Sequence, residues 1–346
     1  MAGPIDMAVQ LAGNTARLGW YTGINWLMRR EGLRRGPATE PYEPKRPVPS
    51  REDLMASIRE LLRADAEAVR DGLYPPMPGE ELRLREHLSR LRAMARDLAG
   101  TTGRRHARDA STARDLPQAA GLPDYFTQDF HFQTGGYLSR DSARLYDVQV
   151  ETLFYGAAAV MRRAGLRTIA SHMLGRDQRQ TSLLDVACGT GRFLRDVRLA
   201  FPAMHLTGLD LSAAYLEEAR VHMGSLRPAT FLAANAEDIP LGDATQDIVS
   251  CVFLFHELPP DVRRRVAGEL ARVLKPGGLL VFIDSLQMGD KPGWDGLLEA
   301  FPVRFHEPYY RNYAIDDLDA LFESFGLAAR ATELAFLSKV MVREKR

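Results

Sequence analysis

"LLDVACGTGRFL", residues 183–194, joins a short apolar run to a helically patterned segment through a turn that contains Gly189 and Gly191. Apolar run, glycine turn and helix, in that order, describe a βα unit of an open α/β sheet, and such sheets bind ligands beyond the carboxyl ends of their strands. A dinucleotide site would want a glycine or alanine at position 194, where the helix has to approach a pyrophosphate. Leu194 stands there, so phosphate binding, and with it a dehydrogenase, is disfavoured.

From about residue 182 onward, apolar runs alternate with helical patterns: "SLLDVA", "HLTGLD", "ATFLAA", "DIVSCVFLF", "GLLVFID", "LAARATEL" and "FLSKVMV". The alternation predicts an α/β fold, a Rossmann-like seven-stranded, mostly parallel sheet with helices on both faces, preceded by a helical N-terminal region. The second run ends in Asp210, nineteen residues after Gly191, where a carboxylate can accept hydrogen bonds from both hydroxyls of a ribose. The third ends in "AANAEDIPL", where Asn235 and the Ala236 backbone N–H can meet an adenine. Ribose and adenine without a pyrophosphate suit S-adenosyl-L-methionine.

Four motifs in order, "LLDVACGTGRFL", "LTGLDLS", "NAEDIPLGDATQDIVSCVFLFHEL" and "RVLKPGGLLVFID", make residues 180–343 resemble the class I S-adenosylmethionine-dependent methyltransferases. The likeness is to the methyltransferase type 11/25 branch that includes the ubiquinone and menaquinone biosynthesis enzymes. It implies Asp185, Gly189 and Gly191 around the methionine part of the cofactor, Asp210 on the ribose, and Asn235 with Ala236 at the adenine. Ala187, Cys188, Leu211 and Phe253 flank these positions and complete the implied cofactor-binding set. Position 187 is usually glycine in the family, and position 235 more often aspartate.

Methyl transfer needs an acceptor aligned with the methyl group and shielded from water; it needs a base only where the acceptor carries a proton to lose. "FLFHELP" supplies His256, a candidate base near neutral pH, and Glu257, read as structural. Two aromatic-rich segments read as lids: "DFHFQTGGYLSRDSARLYD", with His131, Tyr137 and Tyr146, and "WDGLLEAFPVRFHEPYYRNY", with His306, Tyr309 and Tyr310. The catalytic candidates are therefore His256, His131 and Tyr137. Aromatic lids favour a planar or apolar small molecule.

Upstream, residues 1–36 read as an amphipathic segment, 37–49 as a proline-rich linker, 50–120 as a helical region and 121–180 as the aromatic lid with its leading helix, before the methyltransferase domain at 181–346. Ser50, with Asp53 three residues on, offers a helix cap; a second helix runs from about Glu80 to Leu98, with Gly100 ending it. Trp20, Tyr21 and Trp26 ahead of four arginines suit either packing on the protein itself or on a second copy, or contact with a membrane surface that collects a lipophilic substrate.

Basic and acidic residues balance at 45 each, so no global field draws the chain to nucleic acid. Arginines at 83, 85, 90, 92, 96, 104, 105, 108 and 114 form the one local basic stretch, a solvated face or an anionic-partner site. They are the sole support for a rival RNA or protein methyltransferase; a non-catalytic cofactor-binding module is the other rival. Cys188 and Cys251 give neither a disulfide framework nor metal-ligand spacing, so no metal is expected and a reducing, cytoplasmic setting is.

Overall fold

The computed structural model describes residues 3–34, 42–77, 79, 84–107 and 109–346. Seven strands form one sheet: β1 (Ser182–Val186), β2 (His205–Asp210), β3 (Thr230–Ala233), β4 (Gln246–Val252), β5 (Leu274–Ser285), β6 (Leu327–Ala335) and β7 (Ser338–Lys345), in the order β3-β2-β1-β4-β5-β7-β6. β1 to β5 pair in parallel, and β7 runs antiparallel to both its neighbours. The middle strands read as unbroken apolar runs because helices cover both faces, burying Leu183, Leu184, Val186, Ile248, Val249 and Cys251 together.

Four helices precede the sheet: α1 (Pro4–Arg34), α2 (Arg51–Arg70), α3 (Leu84–Ala107) and α4 (Arg140–Leu153). α5 (Ala158–His172) leads into it, followed by α6 (Arg192–Ala200), α7 (Ala213–Met223), α8 (Pro260–Val273), α9 (Asp295–Arg304), α10 (Tyr310–Tyr313) and α11 (Leu318–Glu323). Ser50 caps α2 reciprocally: its hydroxyl accepts from the Asp53 N–H, and the Asp53 carboxylate accepts from the Ser50 N–H. α3 does not stop at Gly100 but continues to Ala107. A glycine inside a helix costs only about 1 kcal/mol relative to alanine, and packing of Leu91 and Met94 against Tyr21, Ile24, Leu145 and Val148 holds the helix in place. Its expected start at residues 80–83, and residues 37–41 of the proline-rich linker, lie outside the described residues.

Asp65 fixes this helical layer to the sheet domain. It is fully buried and accepts hydrogen bonds from Gln10 Nε2 (2.7 Å) and Asn14 Nδ2 (2.8 Å) of α1, Tyr74 OH (2.9 Å), and Arg163 Nε and Nη2 of α5 (both 2.8 Å). Burial alone would raise its pKa, but the Arg163 charge and these donors hold it below the usual carboxylate range. The opposite side of α1 leaves Ile5, Val9, Trp26 and Leu27 exposed. No helix among the described residues is long and apolar enough to cross a membrane.

Candidate active site

β2 and β3 lie on one side of β1, β4 and β5 on the other, so the loops after β1 and β4 part and open a crevice at the strand carboxyl ends. A cleft occupies it. Its floor is built by Ala187, Gly189, Asp210, Leu211, Asn235, Ala236 and Phe253, its roof by Tyr125, Phe126, Phe130, Tyr137 and Tyr146, with Tyr215 and Glu257 at the sides.

The floor is polar backbone held in an unusual shape. Asp210 ends β2; its Oδ2 accepts from the Gly189 N–H and its Oδ1 from the Ser212 N–H, each at 2.8 Å. Each oxygen keeps a further lone pair. Burial raises the Asp210 pKa to about 6 despite these two donors. Gly189 has φ 53°, and a Cβ built on it would meet nothing within 4 Å, so the turn presents bare backbone to open space. Ala187 (φ 57°) and Phe253 (φ 55°) are non-glycine residues in the left-handed region, a strain of about 1–3 kcal/mol each that concentrates at functional sites. The conformation at 187 explains why glycine suits that position.

Three residues implied by the motif resemblance stand behind the cleft wall. Gly191 (φ 72°) turns the chain into α6, and a Cβ there would lie 2.8 Å from the Ala219 Cβ. Cys188 is buried, its N–H donating to Leu209 O at 2.9 Å. Asp185 is buried beneath the floor, with Ser250 Oγ donating to one oxygen at 2.7 Å and the other oxygen unpartnered; burial raises its pKa to about 7. Leu194, where a pyrophosphate site would want a glycine or alanine, is also buried. Asn235 is held at the cleft by the Glu237 N–H on its Oδ1 (3.0 Å), and Tyr125 OH donates to Glu237 Oε1 at 2.6 Å.

The roof is positioned by two ties. Asp129 accepts the N–H groups of Thr112 and Ala113 at 3.1 and 2.9 Å, fixing the loop that carries Phe130. On α4, Asp147 accepts Thr190 Oγ1 at 2.7 Å and Arg192 Nε at 2.8 Å, locking the roof helix to the glycine turn. Phe130 stacks on Tyr137 with ring centroids 5.5 Å apart and planes 11° from parallel.

Tyr137 OH donates to Glu257 Oε1 at 2.5 Å, so this pair faces the cleft together. Glu257, read from sequence as structural, is thus a cleft residue, and burial raises its pKa to about 7 against the pull of His256 and Tyr137. His256 does not line the cleft; it stands behind Glu257, with its Nδ1 2.6 Å from Asp284 Oδ1. Burial opposes its charge, yet Asp284 outweighs burial and raises its pKa to about 9. His131, also off the cleft wall, is pushed the other way, to about 3, by burial. His256 is thus not poised near neutrality as the sequence led one to expect. His306, Tyr309 and Tyr310 are not on the cleft wall either: His306 and Tyr309 bond Gln128 and brace the first aromatic segment, and Tyr310 is buried. Tyr125, Phe126, Phe130 and Tyr215 were not singled out from sequence. The density of aromatics signals the first three, whereas Tyr215 on α7 reads only as a helix-core residue.

Residues 183–278 match the profile of a methyltransferase domain family. By its ordered motifs and this match, the segment is similar to the class I S-adenosylmethionine-dependent methyltransferases. The chain is 33% identical to the ubiquinone/menaquinone biosynthesis C-methyltransferase UbiE of Methylobacterium nodulans over 168 residues, 48% of this chain and 64% of that protein. It is 34% identical to the demethylmenaquinone methyltransferase of Listeria welshimeri over 151 residues, 41% of this chain and 63% of that one. It therefore spans somewhat under two thirds of the length of these curated relatives. The fold of the methyltransferase domain and part of what precedes it is shared with human N-acetylserotonin methyltransferase solved with S-adenosylmethionine, at TM-score 0.50 and 14% identity over 74% of this chain and 70% of that one. The cofactor suits this floor on the structure's own terms: Asp210 keeps lone pairs for ribose hydroxyls, and Gly189 opens onto unfilled space.

Proposed function

We propose that the protein transfers a methyl group from S-adenosylmethionine to a small planar or apolar acceptor held beneath the aromatic roof. The observation that carries this reading is one continuous cleft with the Asp210–Gly189 floor below and the stacked Phe130–Tyr137 pair above. Asp210 and Gly189, with Ala187, Leu211, Asn235, Ala236 and Phe253 around them, would hold the cofactor, which supplies a methyl group on a positively charged sulfur.

The chain's own part is alignment and exclusion of water. Phe126, Phe130 and Tyr146 present apolar surface to the acceptor, and Tyr137 with Glu257 forms the polar corner against which its reacting atom is set. His256 and His131 act through that corner as positioning residues. The quinone-directed names of the relatives agree with a planar acceptor of this kind. The support for a macromolecular acceptor is weakened, because within the basic stretch Arg90 is bonded to Glu86 and Glu218, and Arg104 to the Phe132 carbonyl, although Arg85, Arg92, Arg96 and Arg114 stay exposed. The outward apolar side of α1 would bring the protein to a membrane surface, where a lipophilic acceptor is found. Sedimentation with anionic liposomes tests this point: it should pull down the wild type more than Trp26→Glu, and equal recovery would refute it.

Transfer of labelled methyl from S-adenosylmethionine into a cell lysate, with Asp210→Ala as control, tests the whole reading. Label in the small-molecule fraction that disappears with the variant is the expected result. Label in precipitated protein or RNA, or no transfer by a protein that binds the cofactor, would overturn it.

A further inference from the structure

Behind Tyr137 the structure gathers three side chains whose sequence positions give no hint of proximity. His131 comes from the one-turn 3-10 segment Phe130–Phe132, Glu257 from the turn after β4, and Glu307 from the link between α9 and α10. One ligand atom from each lies within 4.8 Å of the other two.

What marks this cluster is how little answers it. The Glu307 side chain is wholly buried, and neither of its oxygens has a hydrogen-bond partner. His131 Nε2 lies 3.0 Å from Glu307 Oε1 without the alignment of a hydrogen bond, and His131 Nδ1 is likewise buried and unpartnered. Among the described residues, no arginine or lysine pairs with Glu257 or Glu307; their basic neighbours are the two histidines. The walls are mostly apolar, with Phe301 and Phe305 edge-on to the His131 ring at 6.1 and 5.7 Å and the Arg105 guanidinium over the Phe305 ring. Native proteins rarely leave a buried carboxylate unsatisfied, and a bound ion is among the standard reasons when one is.

We propose that His131, Glu257 and Glu307 form a binding site for a divalent first-row metal ion of the zinc or manganese class. One imidazole and two carboxylates fit such ions by donor type, and three protein ligands leave coordination positions open. Glu257 lies on the cleft wall, so an ion held here would stand beside the acceptor side of the cleft. The surroundings resemble a built second layer: Tyr137 OH fixes one Glu257 oxygen, and the Asp284–His256 pair stands 3.9 Å behind it. The ion would accept an oxygen donor from the acceptor, which narrows the substrate class to small molecules carrying a hydroxyl or carbonyl. That narrowing rests on the methyltransferase reading of the cleft; the metal site itself does not.

The test uses the full-length protein, stripped with a chelator, dialysed against zinc or manganese and desalted, with metal content read by plasma mass spectrometry. The wild type should retain about one equivalent per chain, and Glu307→Gln and His131→Asn less than roughly a tenth of that, since each removes one of three ligands. Zinc should also raise the melting temperature of the wild type and leave both variants unmoved, while all three bind S-adenosylmethionine alike. Metal retained equally by wild type and variants, or by none, overturns the site and leaves the methyltransferase reading standing. Metal bound as expected, with no methyl transfer to any small molecule, would keep the site and remove the narrowing of the acceptor.

Discussion

The floor of the cleft and the cluster behind its wall each bury a carboxyl group, and they treat it in opposite ways. Asp210 in the floor is answered by two backbone N–H groups at 2.8 Å, whereas Glu307 in the cluster is deeper and answered by none. Asp65, far from the cleft, marks the answered extreme, with donors from α1, α5 and Tyr74 converging on it. A fold holds itself together with the answered kind; a buried carboxylate with neither oxygen answered leaves room for something outside the chain to complete it.

The sharpest way to break this contrast is at Asp65. Asp65→Ala strands Arg163 in the interior without its partner and should cost about 3–5 kcal/mol, read as a lower urea midpoint. A loss below about 1 kcal/mol would mean that the helical layer is held by apolar packing alone. At the floor, Asp210→Ala should weaken S-adenosylmethionine binding by about 100-fold, the loss of two hydrogen bonds to a charged acceptor, and lower stability by about 1–3 kcal/mol, because the Gly189 and Ser212 N–H groups lose their acceptor. Titration calorimetry checks this.

The same residue gives a pH signature. Because burial lifts the Asp210 pKa to about 6, its acceptor strength is complete above that pH and is lost below it. Affinity for the cofactor should be flat from pH 7 to 8 and fall toward about tenfold per pH unit below 6. Flat affinity down to pH 5 would mean that the carboxylate does not carry the ribose. The smallest effect belongs to the unanswered group: in metal-free buffer Glu307→Gln should melt within about 1 kcal/mol of the wild type, because no native bond is removed. A loss like that at Asp65 would show that Glu307 is answered after all.

The floor was legible in the sequence because its parts are local. A strand, a glycine turn and a carboxylate at a strand end are each written in a few consecutive residues, and the alternation of apolar runs implied the seven strands. The cleft's depth was not legible to the same degree. Gly191, Cys188 and Asp185 belong to the motif yet serve the turn and the core behind it. The end of α3 was misplaced because Gly100 reads as a stop signal while tertiary packing carries the helix past it. The cluster behind the wall had no local signature at all: His131, Glu257 and Glu307 come from three distant segments, and only the packing of α9 and α10 against the aromatic roof joins them.

In this reading the floor holds the cofactor and the roof serves the acceptor. Titration of S-adenosylmethionine into the wild type, Asp210→Asn and Phe130→Leu separates the two roles. A large loss of affinity is expected for Asp210→Asn and none for Phe130→Leu. Equal loss in both would contradict the division, and unimpaired binding to Asp210→Asn would remove the floor from cofactor binding altogether.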